Sequence, residues 1–266
     1  MTHPVTDTSR PQWLGVGHTH CGLVKPSNQD AWYVDNARSV WIVADGMSGA
    51  PGGDVASHLA IATISASLTA SSAHATMSLE THKTHLAQAL RHGDEAIRRE
   101  ATRDPRLRGM GTTILVLRIV STPSPQAVIG HLGDSRAYLW RPPQLRQLTQ
   151  DHTLARKHVR EGRLSSEEAA AHPDRHVLSR ALGVGRECRP EVHTLPLESN
   201  DRLLLCTDGL TTMLPDETLL SLLNHFDSQP ESLCQRLIEE TNRRGGEDNV
   251  TVLYLSPSAP SATTFD

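Results

Sequence analysis

Apolar residues are bunched along this chain into short runs, and the runs stop at acids. Val40-Trp41-Ile42-Val43-Ala44 leads into Asp45-Gly46, and Ala127-Val128-Ile129-Gly130-His131-Leu132 leads into Gly133-Asp134-Ser135. Arg202-Leu203-Leu204-Leu205-Cys206-Thr207 leads into Asp208-Gly209, and Asp248-Asn249 stands directly before Val250-Thr251-Val252-Leu253-Tyr254-Leu255. Such runs predict buried strands. A lone Asp-Gly is ordinarily a turn, but turn chemistry alone does not select aspartate at every strand end. Buried strands that each deliver a short acid at one edge bring those acids to one point, where the carboxylates repel one another and resist ionisation. Hard divalent cations bind oxygen and supply the compensating charge. The pattern therefore predicts a Mg²⁺ or Mn²⁺ site built from strand ends.

Between these runs the periodicity changes. After the glycine-rich turn ending Pro51-Gly52-Gly53-Asp54, Val55, Leu59, Ala62 and Ala66 fall on one helical face, with Asp54 as the expected N-cap. A second helix is expected over about Glu80 to Ala101, with Leu86, Leu90 and Ile97 on one stripe. Strands are predicted at Thr112–Val120, Gln126–Leu132 and Ala137–Trp140, joined by the loop Ser121-Thr122-Pro123-Ser124-Pro125 and by a tight reversal at Gly133-Asp134-Ser135-Arg136. Consecutive hairpins imply an antiparallel sheet. Residues 151–181 are charged and histidine-rich, carry the capping-box-like Ser165-Ser166-Glu167-Glu168, and are expected as a helical excursion over the sheet edge. A strand at Leu203–Cys206, a helix near Pro230–Arg243 and a last strand at Val250–Leu255 complete an α+β pattern. Residues 1–12 are expected to be a flexible leader, 13–256 the domain, and 257–266 a disordered tail.

The 266 residues suit one large domain or two small ones, and only 3% are aromatic, so the core must be mostly Leu, Val, Ile and Ala. A net charge of −4 and the lack of a basic stripe argue against nucleic-acid or anionic-membrane partners. Cys21, Cys188, Cys206 and Cys234 form no CxxC, and no secretory signal is evident; both point to reduced thiols and a cytoplasmic protein. The fifteen histidines are scattered without tight ligand spacing, which disfavours a histidine zinc site.

Lys25-Pro26-Ser27-Asn28-Gln29-Asp30 adds a cation and another acid just before Ala31-Trp32-Tyr33-Val34. Lys25 is either a solvated surface lysine or the holder of an anionic group. In order along the chain, Gly22-Leu23-Val24-Lys25-Pro26-Ser27-Asn28-Gln29-Asp30, Val43-Ala44-Asp45-Gly46-Met47-Ser48-Gly49, Gly111-Thr112-Thr113, Gly133-Asp134-Ser135-Arg136, Thr207-Asp208-Gly209-Leu210 and Gly246-Glu247-Asp248-Asn249-Val250-Thr251 form a set. Each is weak alone. Together, across about residues 13–255, they resemble the PP2C-type, metal-dependent protein serine/threonine phosphatases. Gln150-Asp151-His152-Thr153 and Leu178-Ser179-Arg180-Ala181-Leu182-Gly183 are similar to the bacterial branch.

The resemblance implies a β-sandwich of two antiparallel sheets flanked by helices (α-β-β-α, PP2C-like) with a binuclear Mn²⁺/Mg²⁺ centre at one end. By motif position, Asp45 would bridge the metals and the Gly46 carbonyl would bind one of them. Asp208 and Asp248 would hold the other, and Asp134 with Asp208 would form the third, weaker site of bacterial members. Asp30 would orient metal-bound water, Lys25 would bind substrate phosphate, and 151–181 would be the flap beside the site. The implied activity is hydrolysis of phosphoserine or phosphothreonine in proteins by a monomer that opposes a bacterial Ser/Thr kinase. Gly17-His18-Thr19-His20-Cys21-Gly22 with Asn28-Gln29-Asp30-Ala31 further resembles phosphatases opposing a threonine kinase that controls type VI secretion.

Three positions depart from the pattern. Lys25 stands where the family usually has arginine, which grips phosphate bidentately. Gln29 stands where many members have glutamate, and Met47 where animal members have histidine. The alternative of a phosphoprotein-binding pseudophosphatase takes its room from Lys25 and Gln29.

Overall fold

The computed structural model describes residues 12–70, 77–121, 124–185 and 187–258. The leader up to residue 11, Thr122 and Pro123 of the predicted loop, and the tail beyond Ser258 lie outside the described residues.

Strands β1 (Trp13–His20), β2 (Asp30–Asp35), β3 (Val40–Asp45), β4 (Ile114–Ser121), β5 (Pro125–Leu132), β6 (Arg136–Arg141), β7 (Gln144–Gln147), β8 (Glu191–Pro196), β9 (Arg202–Cys206) and β10 (Val250–Pro257) form two antiparallel sheets. One has the order β1-β10-β9-β6-β7 and the other β2-β3-β4-β5-β8. The helices are α1 (Gly53–Thr69), α2 (Leu79–Arg103), α3 (Leu154–Arg160), α4 (Ser166–Ala170), α5 (Asp208–Met213), α6 (Asp216–Phe226) and α7 (Pro230–Arg243).

The apolar runs are continuous because their strands are buried on both faces. Trp41, Val43, Leu115, Leu117, Leu205 and Leu253 meet between the sheets. The alternate residues Ile42, Ile114 and Val116 face outward against α1 and α2. On the other sheet, Leu204, Val252 and Tyr254 pack against Leu210, Leu223 and Leu237 of α5, α6 and α7. These three apolar layers make the expected α-β-β-α sandwich.

Several local expectations are corrected. Gly133-Asp134-Ser135 is not a hairpin: β5 lies in one sheet and β6 in the other, so this turn carries the chain across the sandwich. The α1 face is rotated, with Ala56, Ala60, Ile64 and Leu68 buried while Ala62 and Ala66 are exposed. Small apolar and small polar residues alternate all round that helix, so its own periodicity does not choose a face; the sheet beneath it and α2 beside it do. Its N-cap is Gly52, in left-handed conformation, and Asp54 sits in the first turn. Strands β1, β7 and β8 carry no apolar run, because each lies at a sheet edge and needs less apolar surface.

Over 151–181 the chain leaves edge strand β7 of one sheet and returns to edge strand β8 of the other, carrying α3 and α4. The excursion is pinned at its base, where the amide of Leu154 donates to Val177 and that of Ser179 to His152. The capping box at Ser165 and Glu168 is present in both directions. β10 runs through Pro257, and the Ser258 amide donates to the carbonyl of Gln12.

Candidate metal centre

The predicted acids gather at one end of the sandwich. Asp30 opens β2 directly opposite Asp45, which closes β3. Asp134 lies in the crossing from β5 to β6, Asp208 is the first residue of α5 after β9, and Asp248 precedes β10. Asp45, Asp134, Asp208 and Asp248 line one cavity of about 330 Å³. The carboxyl groups of Asp45 and Asp208 lie within hydrogen-bonding contact of each other. Asp30 is buried behind them, and its Oδ2 accepts hydrogen bonds from Thr251 at 2.6 Å and Thr207 at 2.9 Å.

This crowding is electrostatically costly for a protein with nothing bound. Burial, and then the neighbouring charges of Asp208 and Asp248, push the Asp30 carboxyl up to about 7 against the two threonine hydrogen bonds. Burial first, and then the charges of Asp30 and Asp208, raise Asp45 well above the usual carboxylate range; burial and Asp208 do the same to Asp134. Asp208 is raised by burial and by Asp248. Two buried oxygens, Oδ1 of Asp30 and Oδ1 of Asp208, have no hydrogen-bond partner among the described residues. The Gly46 carbonyl likewise accepts none there. An all-oxygen donor set with orphaned oxygens and excess negative charge is what a hard divalent cation requires.

The acids are aimed by residues to which the sequence reading gave no role. Thr113 donates its hydroxyl to Ser135 or accepts from it at 2.8 Å, receives the Asp45 amide at 3.0 Å on the same oxygen, and sends its own amide to the Asp45 carbonyl at 2.8 Å. Buried Asn249 accepts from the Gln29 amide and donates to the carbonyls of Cys21 and Ser27, so it straps the Lys25 loop to β10. His152 accepts the Gly133 amide at 3.2 Å and so holds the turn bearing Asp134. Their signal in the sequence was only that each lies in a stretch carrying the family resemblance. Two glycines are forced by close backbone approach: a Cβ on Gly46 would meet the Gly53 carbonyl oxygen at 2.2 Å, and one on Gly209 the Asn249 oxygen at 2.0 Å.

Lys25 reaches the cage, but its Nζ lies 2.8 Å from Oδ1 and 2.9 Å from Oδ2 of Asp248, and 3.2 Å from the Ser48 hydroxyl. It therefore neutralises a cage acid. Gln29 contributes main-chain contacts, its carbonyl accepting from Gly46 and from Ser57. Cys206 is a buried strand residue.

A second group of potential ligands, His131, His152 and Glu191, was not foreseen, because its members are far apart in sequence. The two rings stack nearly parallel, 4.6 Å apart at 9°, so their in-plane lone pairs do not converge on one point. The Arg180 guanidinium already lies 2.7 Å from Glu191 and 3.4 Å from His152. This group is an ion-paired clamp holding the end of the 151–181 excursion to β8.

Residues 14–244 match the family model described as "Protein phosphatase 2C". The serine/threonine phosphatase stp of Listeria welshimeri is 37% identical over 241 residues, covering 89% of this chain and 93% of that protein. A structure of the catalytic domain of the serine/threonine protein phosphatase PstP in complex with two manganese ions superimposes with a TM-score of 0.78 at 34% identity, over 93% of this chain and 99% of that one. PppA, described as a key regulatory component of the type VI secretion system in Pseudomonas aeruginosa, gives a TM-score of 0.78 at 28% identity over 94% and 99%. With the acid cage at the edge of a two-sheet sandwich and a match running through nearly all of it, the chain belongs to the protein phosphatase 2C family.

Proposed function

We propose that this protein hydrolyses phosphoserine and phosphothreonine in proteins with two Mn²⁺ or Mg²⁺ ions, and that it opposes a bacterial Ser/Thr kinase in the cytoplasm. The observation that carries this reading is the cage itself: four carboxylates on one cavity and a fifth behind them, with orphaned buried oxygens. Asp45 and the Gly46 carbonyl, with Asp208 and Asp248, would hold the two ions, and Asp134 with Asp208 a third. When bound, the ions supply Lewis acidity and activation of water at neutral pH.

The chain's own residues do the rest. Asp30, fixed through Oδ2 by Thr207 and Thr251, keeps Oδ1 free to hold the attacking water and take its proton. Lys25 draws in the phosphoryl oxygens, exchanging its contact with Asp248 for them. No cysteine nucleophile is needed. The excursion 151–181 serves as the flap, and 13–256 as the catalytic domain. The complete acid set disfavours a binding module without turnover. Similarity to PppA, described as a key regulatory component of type VI secretion, supports a role in regulating that system. No helix among the described residues is long and apolar enough to cross a membrane.

Release of phosphate from a phosphothreonine peptide panel, dependent on Mn²⁺, tests the reading. Metal binding without release would turn it toward a phosphoprotein-binding module. A Lys25→Arg variant is expected to lower KM for a phosphopeptide about threefold, with kcat within about twofold, because a fork replaces a point charge. A clearly higher KM would remove Lys25 from the phosphate contact.

A further inference from the structure

The acid cage opens in two directions. Asp134, His176 and Asp208 border both the cavity already described and a second one of about 280 Å³, which runs between α5 and the 151–181 excursion. Beyond the cage acids the first is lined by Met47, Val177 and Leu178 with Ser48, Thr113 and His176, and holds no arginine. The second is charged: Arg136, Asp151, Arg156 and Arg175 join the two cage acids on its wall. Most of this charge is already matched. Asp151 is gripped by Arg136 through bonds of 2.9 and 2.7 Å, and Asp134 and Asp208 belong to the proposed metal ligands. Arg160 and Arg180 of the same excursion are committed to Glu191, and Arg163 to Glu161.

Arg156 and Arg175 are different. Neither guanidinium makes an ion pair or hydrogen bond among the described residues, although both border the cavity. Arg156 is half-buried on α3 and Arg175 is exposed. Two uncommitted guanidiniums lining one open cleft form a receptor for an anion. The cleft is continuous with the cage, so its occupant would sit on the same extended peptide as the phosphoresidue. We propose that Arg156 and Arg175 form a subsite for an anionic side chain, a carboxylate or a second phosphoryl group, close in sequence to the phosphoserine or phosphothreonine being hydrolysed. This rests on the phosphatase reading and adds a substrate class to it: phosphorylated segments that are acidic or multiply phosphorylated.

The test uses the full chain with Mn²⁺ and phosphothreonine peptides carrying alanine, aspartate, lysine or phosphoserine at each of the neighbouring positions. Hydrolysis of p-nitrophenyl phosphate, too small to span both cavities, reports the reaction itself. The expected result is a position at which an anion raises kcat/KM about tenfold over alanine, mainly through KM. That ratio should shrink as salt is raised. In Arg156→Ala/Arg175→Ala it should fall to about one, and in Arg156→Glu/Arg175→Glu lysine should become the favoured neighbour. Phosphoserine exceeding aspartate identifies a dianion as the ligand; equality identifies a carboxylate. The ratio is internal to each variant, so a partly unfolded preparation does not mimic the result. No favoured position, or a preference that survives in both double variants, overturns the subsite. If no substrate is hydrolysed, the phosphatase reading fails by itself. Anisotropy of the same labelled peptides on the Mn²⁺-loaded chain then decides the subsite by the same ratios.

Discussion

In an Asp208→Asn variant, phosphopeptide hydrolysis is expected to fall by at least about a thousandfold, because a charged ligand shared across the cage is lost. At neutral pH the metal-free variant should nevertheless melt higher than the wild-type chain. Asp208 is raised above the ordinary carboxylate range by burial and by Asp248, and it touches the carboxyl of Asp45. Each unit by which a folded pKa exceeds the unfolded one costs about 1.4 kcal/mol once the pH is above both. An amide removes that cost and can still bond to Asp45. For a chain of this length each kcal/mol recovered corresponds to about 2–4 °C. The variant should also lose most of the stabilisation that Mn²⁺ gives the wild type. Calorimetry with and without Mn²⁺, beside a phosphate-release assay, checks all three. Retained turnover would remove Asp208 from the site, and a lower metal-free melting temperature would mean the cage is not strained as described.

Chelation is expected to abolish activity and added Mn²⁺ to restore it, with a pH signature in stability. Asp30, pushed to about 7, and the raised Asp45, Asp134 and Asp208 keep protons in the native state that the unfolded chain has already lost. Their contribution to metal-free stability therefore falls as pH rises from the ordinary carboxylate value near 4 through the raised values. Burial acts oppositely on His131, His193 and His152, the last lowered to about 4, so their contribution rises over pH 4 to 6.5. The cage is isolated by the difference between metal-loaded and metal-free protein, since ions bind only the deprotonated acids. With Mn²⁺ at a hundred times its dissociation constant at pH 8, that difference should approach about 2.7 kcal/mol for each ion bound at pH 8 and nearly vanish at pH 5. A Mn²⁺ increment independent of pH, or an activity that resists chelation, would argue for different chemistry.

Several parts of this molecule were written in its sequence. The long runs before Asp45, Asp134 and Asp208 predicted buried strands, and α2 carried its stripe of Leu86, Leu90 and Ile97 openly. The capping box at Ser165 and the order of the acids along the chain were equally local. Composition and pattern over a few residues therefore determined the α+β class, the strand ends and the candidate ligands.

Contacts between distant segments decided the remainder. Nothing in Gly133-Asp134-Ser135 distinguishes a hairpin from a crossing between sheets; the pairing of β5 with β8 and of β6 with β9 makes that choice, and with it the aim of Asp134. The buried face of α1 was set by the sheet it covers. The roles of Asn249, Thr207 and Thr251 as struts and the pairing of Lys25 with Asp248 depend on partners as far as 228 positions away, and the uncommitted state of Arg156 and Arg175 on where the fold leaves them. Hydrogen bonds and charges act over a few ångströms of space, and only folding brings those partners within that range.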